Sequence, residues 1–292
     1  MVTILDGRKA STEIREELKQ QIESLREKGI VPGLAGVLVG EDSGSASYIR
    51  LKERASEELG IHTEMVGLAG NVTEADLLRE IDRLNSDTKI SGIFLQLPLP
   101  SHINENRALN SVSPDKDVDG FHPMNVGKAW LGQQAFLPAT PAGIYELLSR
   151  YGYADLKGKN VVILNVDILV GKPLASILTQ EGIGADVTLC HSSSPNLRHY
   201  TGKADIVVVA VNKPRFITAD MVKEGVIAID FGANYIKDPT SDKERLVGDL
   251  DFDGVKAKAK AITPVPGGVG PMTITMLMAN TVKAAKLAAG LA

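Results

Sequence analysis

The chain has little cysteine and no excess of charge of one sign, and both shortages limit what it can do. Among its 292 residues only Cys190 is a cysteine, which excludes an internal disulfide and a metal cluster held by cysteines. A formal net charge of -4 gives no sign of the basic surface that nucleic acids or anionic membranes attract. These absences favour a protein of a reducing compartment that acts on small molecules.

Long hydrophobic runs and a targeting segment are also missing. The chain contains no stretch of about eighteen apolar residues, and its first residues show no basic segment followed by a long apolar one. We therefore expect a cytoplasmic protein without a membrane anchor. The composition is otherwise that of an ordinary globular protein, 43% hydrophobic and 23% charged. The chain is longer than one core usually supports, so two domains are expected.

An alternation of strand and helix patterns predicts the fold class. Apolar runs at 33–40, 92–96, 161–164, 206–210 and 226–230 have the length of buried strands, and amphipathic helical segments separate many of them. This spacing is typical of βαβ units and parallel sheets. We predict two α/β domains, the second of which is a Rossmann-like, doubly wound parallel sheet that binds a nucleotide.

Tyr48 and Lys52 are one turn apart on a predicted helix, so both side chains project from the same face. An aromatic platform beside a primary amine suits proton transfer on a flat ring substrate. The lysine can serve as a base only if its pKa falls toward neutrality, and the apolar segment 93–95 can supply the necessary burial. The alternative is an ordinary amphipathic helix whose lysine lies in water.

Two further segments are unusual in composition. The loop from Asp115 to Gly120 carries three carboxylates in five residues, which suits a hard cation, a solvated acidic loop, or a carboxylate that binds the edge of a heterocycle. The segment from Pro264 to Pro271 holds three prolines and three glycines in eight residues, which predicts a rigid, tightly turned loop with backbone amides open to a ligand.

The strand at 92–96 runs into Leu97-Pro98-Leu99-Pro100, and its prolines end the strand so that Gln96 lies at its carboxyl end, where α/β folds place ligands. Together with Tyr48-x-x-x-Lys52, the acidic loop and the segment from Thr263 to Thr273, in this order, it resembles the methylenetetrahydrofolate dehydrogenase/cyclohydrolase family. The resemblance covers nearly the whole chain.

This resemblance implies a soluble homodimer with two activities. The enzyme would oxidise methylene-tetrahydrofolate to methenyl-tetrahydrofolate with a nicotinamide cofactor and hydrolyse that product to formyl-tetrahydrofolate. Residues 1–140 would form a folate-binding catalytic domain, with the last helix, 272–292, packed back on it. Residues 141–271 would form the dinucleotide-binding domain, with the folate cleft between the two domains.

The resemblance also assigns roles to residues. Lys52 would handle the proton in hydrolysis, with Gln96 holding its amine in place and helping to keep it neutral. Tyr48 would pack on the folate ring, and Asp119 would bind the pterin edge, which favours heterocycle recognition over a metal. The implied substrate contacts are Tyr48, Gln96, Leu97, Pro98, Asp119, Pro264, Gly267 and Gly268. The implied cofactor contacts are Asn165, Val166, Asp167, Gly171, Pro173, Ser192, Asn212, Gly232, Ala233, Pro271 and Thr273.

The dinucleotide turn departs from the family's Gly-Arg-Ser-x-Ile-Val-Gly-x-Pro. The leading glycine is Leu164 or Asn165 here, and the arginine and serine are absent. Losing the arginine removes the usual partner of a 2′-phosphate, and Asp167 places a carboxylate nearby, which leans toward NAD. The family resemblance itself implies NADP, and Ser192, which matches the family, can still bind a phosphate, so NADP stays open.

Two more departures lie on the cofactor side, Asn212 for a common glycine and Ala233 for a common isoleucine. Three functions therefore remain. The first is the bifunctional enzyme. The second is a cyclohydrolase with a degenerate dinucleotide site, and the third is a folate-binding protein without turnover.

Overall fold

The computed structural model describes residues 1–40, 43–237 and 244–291, with the backbone alone for 43–47. The α/β class predicted from the sequence is confirmed. The chain divides into two compact units. The first unit comprises Glu13–Ala139 and Ile274–Ala292, and the second unit comprises Met1–Thr12 and Thr140–Thr273.

Two parallel sheets form the core of the described part of the chain. In chain order the elements are β1 (Thr3–Ile4), α1 (Gly7–Glu27), β2 (Gly33–Val39), α2 (Ser43–Leu59), β3 (His62–Leu68), α3 (Glu74–Ser86), β4 (Gly92–Leu95), α4 (Glu105–Ser111), α5 (Pro123–Trp130), α6 (Ala139–Arg150), β5 (Asn160–Leu164), α7 (Gly171–Leu178), β6 (Asp186–Cys190), α8 (Leu197–Thr201), β7 (Ile206–Val209), β8 (Ile227–Asp230), β9 (Asn234–Lys237), β10 (Glu244–Val247), α9 (Phe252–Lys256), β11 (Ala261–Ile262) and α10 (Val269–Ala288). A short 3₁₀ turn, Ala219–Met221, precedes β8, and β9 pairs with β10 as an antiparallel hairpin.

The second unit is built on a parallel sheet with the strand order β1-β11-β8-β7-β5-β6. Its central strands β7 and β8 are buried along their whole length, as near-continuous apolar runs in a covered parallel sheet should be. The order β6-β5-β7-β8-β11 is a doubly wound arrangement that changes direction between β5 and β7. Ligands of such sheets bind at the carboxyl ends of the strands beside this switch point.

The amino terminus belongs to the second unit, whereas the sequence placed residues 1–140 in the first domain. Thr3 pairs with Ala261, so β1 extends the sheet through β11. The amide of Gly7 then donates to Gly267 O at 2.9 Å. A Cβ on Gly7 would lie 1.7 Å from the carbonyl oxygen of Gly268, so this approach requires glycine. Because β1 has only two residues and pairs with β11 near the other end of the chain, no local sequence pattern predicts this pairing.

The first unit is built on the parallel order β3-β2-β4. The acidic loop lies beside β4, because the Ile93 amide donates to Lys116 O at 2.7 Å. Helix α10 begins at Val269 rather than at the predicted 272. Farther along it, Asn280 Nδ2 donates to the carbonyl oxygens of Val118 at 2.8 Å and Leu137 at 2.9 Å. These bonds fix the backbone of the acidic loop one residue before Asp119.

Among the described residues no helix combines the length and the apolar character needed to cross a lipid bilayer.

Candidate active site

The amine of Lys52 is buried in the first unit among aromatic rings. Lys52 is only 7% exposed and Phe94 only 1%. Lys52 Nζ lies 4.0 Å from the centre of the Phe94 ring and 5.2 Å from the centre of the Tyr48 ring. The predicted burial by segment 93–95 therefore takes place, and Phe94 is the side chain that supplies it. The amphipathic alternative, with Lys52 in water, is wrong.

Gln96 orients the buried amine. Lys52 Nζ donates to Gln96 Oε1 at 3.3 Å. The amide nitrogen of Gln96 donates to Leu97 O at 3.0 Å, which turns its oxygen toward the lysine. Gln96 directly follows β4, at the carboxyl edge of the sheet, and the Leu97-Pro98 peptide that comes next is cis. The sheet edge thus presents an amine with a fixed direction.

Burial and charge act in opposite directions on the two ionisable groups of this site. Burial lowers the pKa of Lys52, and the nearby Asp119 carboxylate partly offsets that effect. Burial also raises the pKa of Asp119 to about 6, while Lys52 opposes the rise and Asp117 adds to it. Both shifts favour the neutral forms, as expected for charges withdrawn from water. The amine is thereby brought toward the range in which it can accept a proton.

The three carboxylates of the acidic loop have different surroundings. Asp115 is exposed, and Asp117 is buried. Asp117 accepts hydrogen bonds from the amide of His122 and from Asn125 Nδ2, both at 2.9 Å. It therefore holds the loop that leads into α5. Asp119, partly buried, is the one of the three that interacts electrostatically with Lys52.

The proline- and glycine-rich segment lies in the second unit. Its Val265-Pro266 peptide is cis, and Gly267 has φ +109°, a backbone conformation that favours glycine. The amide of Gly268 donates to Pro264 O at 2.8 Å. Because α10 begins at Val269, the two predicted cofactor contacts of this segment, Pro271 and Thr273, are in the first turns of a helix rather than in a loop.

The turn after β5 is held by two of its own side chains. Asn165 directly follows β5 and so takes the leading position of the turn. Its Oδ1 accepts hydrogen bonds from the amides of Asp167 at 3.0 Å and Gly171 at 2.8 Å. Asp167 Oδ1 in turn accepts from the amides of Leu169 at 3.0 Å and Val170 at 2.7 Å. The amides at the start of α7 thus already have partners.

Asn165 also ties the two strands of the switch point together. Its Nδ2 donates to Asp167 Oδ2 and to Ala210 O, both at 2.8 Å. Both oxygens of Asp167 therefore accept bonds from their own turn, which differs from the ribose contact that the sequence suggested. The tight path is kept, because a Cβ on Gly171 would lie 2.0 Å from Asn165 O. The backbone of the turn keeps the tight path that dinucleotide binding requires, but the Asp167 carboxylate adds a negative charge to it.

Side chains beside this turn offer the positive charge that the turn lacks. Lys213 Nζ donates to Ser192 Oγ at 3.3 Å. Ser192 follows β6, and Lys213 follows β7. Both therefore lie at the carboxyl edge of the sheet. Ser192 was predicted from the sequence, whereas Lys213 was not. Its position shortly after a buried strand could have indicated that it lies at the carboxyl edge of the sheet.

The other predicted cofactor residues are spread along the same edge. Val166 lies within the turn and Pro173 in the first turn of α7, and both are partly buried. Asn212 is exposed with φ 53°, and Gly232 is buried beside the exposed Ala233. The sequence missed Lys213 and two buried carboxylates, Asp230 and Asp249. The position of Asp230 at the end of the apolar strand β8 could have identified it from the sequence.

Comparison with known proteins identifies relatives of both units. Residues 138–289 match the family described as tetrahydrofolate dehydrogenase/cyclohydrolase, NAD(P)-binding domain, and residues 5–119 match its catalytic domain. The bifunctional protein FolD of Dehalococcoides mccartyi is 54% identical over 291 residues, which cover 99% of this chain and 98% of the relative.

Solved structures agree with this match. The bifunctional methylenetetrahydrofolate dehydrogenase/cyclohydrolase FolD of Campylobacter jejuni is 45% identical with a TM-score of 0.93, over 99% of this chain and 100% of that one. The methylenetetrahydrofolate dehydrogenase-cyclohydrolase of Trypanosoma brucei, solved with NADP and an inhibitor, is 37% identical with a TM-score of 0.93, over 99% of this chain and 98% of that one.

Replacing the buried amine should stabilise the protein. We expect Lys52→Met to raise the free energy of unfolding at pH 7 by on the order of 1 kcal/mol, because an apolar side chain of similar length avoids the desolvation of an amine. The gain should shrink as the pH approaches 10.5, the ordinary pKa of lysine. Over that range the unfolded wild-type chain binds more protons than the folded one, so wild-type stability rises with pH.

Urea unfolding at several pH values measures this effect. The matched control is Lys28→Met, which changes an exposed lysine of the same unit and should bring no gain. Equal unfolding midpoints for wild type and Lys52→Met at every pH would contradict the role given to burial.

Proposed function

The chain belongs to the tetrahydrofolate dehydrogenase/cyclohydrolase family, and from this premise we propose how its residues divide the work. The protein is a bifunctional enzyme that oxidises methylene-tetrahydrofolate to methenyl-tetrahydrofolate with a nicotinamide cofactor and hydrolyses the product to formyl-tetrahydrofolate. Neither the hydrolase-only function nor simple folate binding is favoured. The observation that carries the assignment of roles is the buried amine of Lys52, oriented by Gln96.

Lys52 acts as the base of hydrolysis. Water adds to the cationic methenyl carbon, and the neutral amine accepts the proton that the water loses. When the bond from this carbon to one nitrogen breaks, the lysine returns its proton to that nitrogen, and the hydroxyl proton passes to solvent as the carbonyl forms. The carbon stays bonded to the other nitrogen as a formyl group. Burial makes the amine available in its neutral form. Gln96 directs it by accepting one of its hydrogen bonds.

Tyr48 and Asp119 bind the pterin. The Tyr48 ring offers a face for stacking beside the amine. Asp119, with a pKa of about 6, is mostly ionised at neutral pH and accepts paired hydrogen bonds from the amidine-like edge of the ring. Leu97 and Pro98 line the same edge of the sheet. The contacts of Pro264, Gly267 and Gly268 with the substrates stay a prediction, as does the cytoplasmic location.

The hydrolysis step can be separated from oxidation by one substitution. Lys52→Met should lower kcat/KM for hydrolysis of methenyl-tetrahydrofolate by roughly 10²-fold to 10⁴-fold, the usual contribution of a positioned base. The measurement is the decay of the methenyl chromophore, and Lys28→Met should retain the full rate. Unchanged hydrolysis in Lys52→Met would show that another group is the base.

NADP is the cofactor that the side chains of the second unit favour. When bound, a nicotinamide would supply the acceptor for the hydride of the methylene carbon. The turn before α7 carries the Asp167 carboxylate, which occupies the amides of Leu169 and Val170, so these amides are not open to a phosphate. Ser192 and Lys213 supply a hydroxyl and a cation that suit the 2′-phosphate, and Lys213 thereby takes over from the missing arginine of the turn. The NADP complex of the trypanosomal relative supports the same choice.

Charge removal at Lys213 tests this preference. Lys213→Met should raise the KM for NADP by about tenfold, the loss of one charge-assisted contact, and leave the KM for NAD nearly unchanged. The reduced cofactor is followed by its absorbance. Lys159→Met, at the amino end of β5, is the control that should change neither KM. A wild-type enzyme that prefers NAD, or equal effects on both cofactors, would refute the assignment.

A homodimer formed through β3 fits the first unit. Strand β3 pairs with β2 along seven residues, and within the described ranges no strand covers its outer edge. The His62 amide donates toward β2, to Pro32 O at 2.8 Å. By alternation the amides of Thr63, Met65 and Gly67 point outward. The same edge of a second copy can pair with them around a two-fold axis, which also removes an open sheet edge.

Gly67 provides the test of the dimer. Gly67→Pro deletes one outward amide without removing a bond to β2, whereas Gly67→Ala keeps that amide, and a Cβ there meets no atom within 4 Å. Light scattering should give a dimeric mass for wild type and Gly67→Ala and a large shift toward monomer for Gly67→Pro. A monomeric wild type, or dimers in all three proteins, would argue against this interface.

A further inference from the structure

Two carboxylates are buried in the second unit without a cationic partner. Asp230 is 3% exposed and Asp249 is 0% exposed. In the part of the chain that the structure describes, neither forms an ion pair with a lysine or arginine. Burying a carboxylate is costly unless several donors compensate it. Their surroundings therefore show what these carboxylates hold in place.

Asp249 is surrounded by the loop that follows β7. Its Oδ2 accepts hydrogen bonds from the amides of Val211 at 2.6 Å and Asn212 at 3.0 Å. Its Oδ1 accepts from the Lys213 amide and from Asn234 Nδ2, both at 2.8 Å. Three successive amides converge on one carboxylate, an arrangement typical of an anion nest. The backbone path of residues 211–213 therefore depends on this charge.

Asp230 connects this arrangement to the rest of the sheet edge. Its Oδ1 accepts from the amides of Gly232 at 2.8 Å and Asp249 at 2.9 Å, and its Oδ2 accepts from the amide of Leu250 at 2.8 Å. The Asp230 amide donates to Thr263 Oγ1 at 2.7 Å. One hydrogen-bonded chain thus joins β8, the loop after β7 and the start of the proline- and glycine-rich segment.

Two glycines provide the space for these carboxylates. A Cβ on Gly232 would lie 2.3 Å from Asp249 Cγ, and a Cβ on Gly248 would lie 2.0 Å from Asp230 Oδ2. Gly232 was predicted as a direct cofactor contact. In the structure its lack of a side chain first serves to admit Asp249.

We propose that Asp249 is a positioning residue for the dinucleotide. Its carboxylate fixes residues 211–213 at the carboxyl end of β7, beside the switch point, and so places the Lys213 side chain next to Ser192. Asp230 fixes Asp249 through its backbone amide. The inference rests on the proposed cofactor site, and it assigns that site a support made of buried charge rather than of direct contacts.

Equilibrium binding of NADP and NAD by titration calorimetry tests the proposal. In Asp249→Asn an NH₂ group replaces one carboxylate oxygen. This group faces two N–H donors and cannot accept their hydrogen bonds, so the loop must move. The Kd for the cofactor should rise about tenfold or more, and the KM should rise with it. We expect kcat for oxidation to fall by less than about threefold, and hydrolysis of methenyl-tetrahydrofolate to stay within about twofold of wild type.

A milder variant and a control accompany it. Asn234→Ala removes one of the four donors to Asp249 and leaves the loop amides in place, so it should raise the Kd by about threefold even if Asp249→Asn does not fold. Asp251→Asn changes the next carboxylate of the chain and should leave cofactor binding as in wild type.

The possible results separate the proposals. If wild type binds neither NADP nor NAD, the cofactor assignment fails together with this inference. If wild type binds a cofactor but folded Asp249→Asn or Asn234→Ala binds it equally well, only the positioning role is wrong. A parallel loss of melting temperature, oxidation and hydrolysis in Asn234→Ala would also overturn it, because that pattern reflects general destabilisation.

Discussion

The burial of a primary amine at the carboxyl edge of a parallel sheet is the constraint on which the first unit depends. Phe94 lies within β4, Gln96 directly follows this strand, and Lys52 lies in α2, the helix that follows β2. The acidic loop runs beside β4, and Asn280 of α10 fixes its backbone. Strand β4 and the acidic loop thus bring Phe94, Gln96 and Asp119 to a buried amine.

The second unit places its charge in the opposite way. Its buried groups are carboxylates, and backbone amides compensate them: three for Asp230 and three for Asp249, the latter joined by a side-chain amide. The turn after β5 repeats this solution with Asp167 and Asn165. A carboxylate that organises its own loop is a rigid support, but it also occupies amides that a phosphate would otherwise use.

The departures of this sequence from the family's motifs lie beside the proposed cofactor site, in the unit whose loops are held by carboxylates. The proposed folate side has the residues of the family's motifs, and the proton transfer proposed there needs an amine with a particular pKa and direction. Asn165 and Asp167 replace family residues in the turn and satisfy each other, so the turn keeps its path with different side chains. Lys213 provides charge from a neighbouring loop. A cofactor site can be rebuilt in this way, since what matters is where charge stands and not which loop carries it.

The sequence by itself determined the α/β class, the two-part organisation and the shared helix face of Tyr48 and Lys52, because strand periodicity and helical spacing are local properties of the chain. Only the tertiary structure decided that residues 1–12 join the second unit and that Asp167 faces its own turn. It also decided that Lys213 meets Ser192 and that Asp249 holds the loop after β7. These facts depend on contacts between segments far apart in the chain, and on which way each side chain turns once its backbone is fixed, and neither leaves a periodic trace in the sequence.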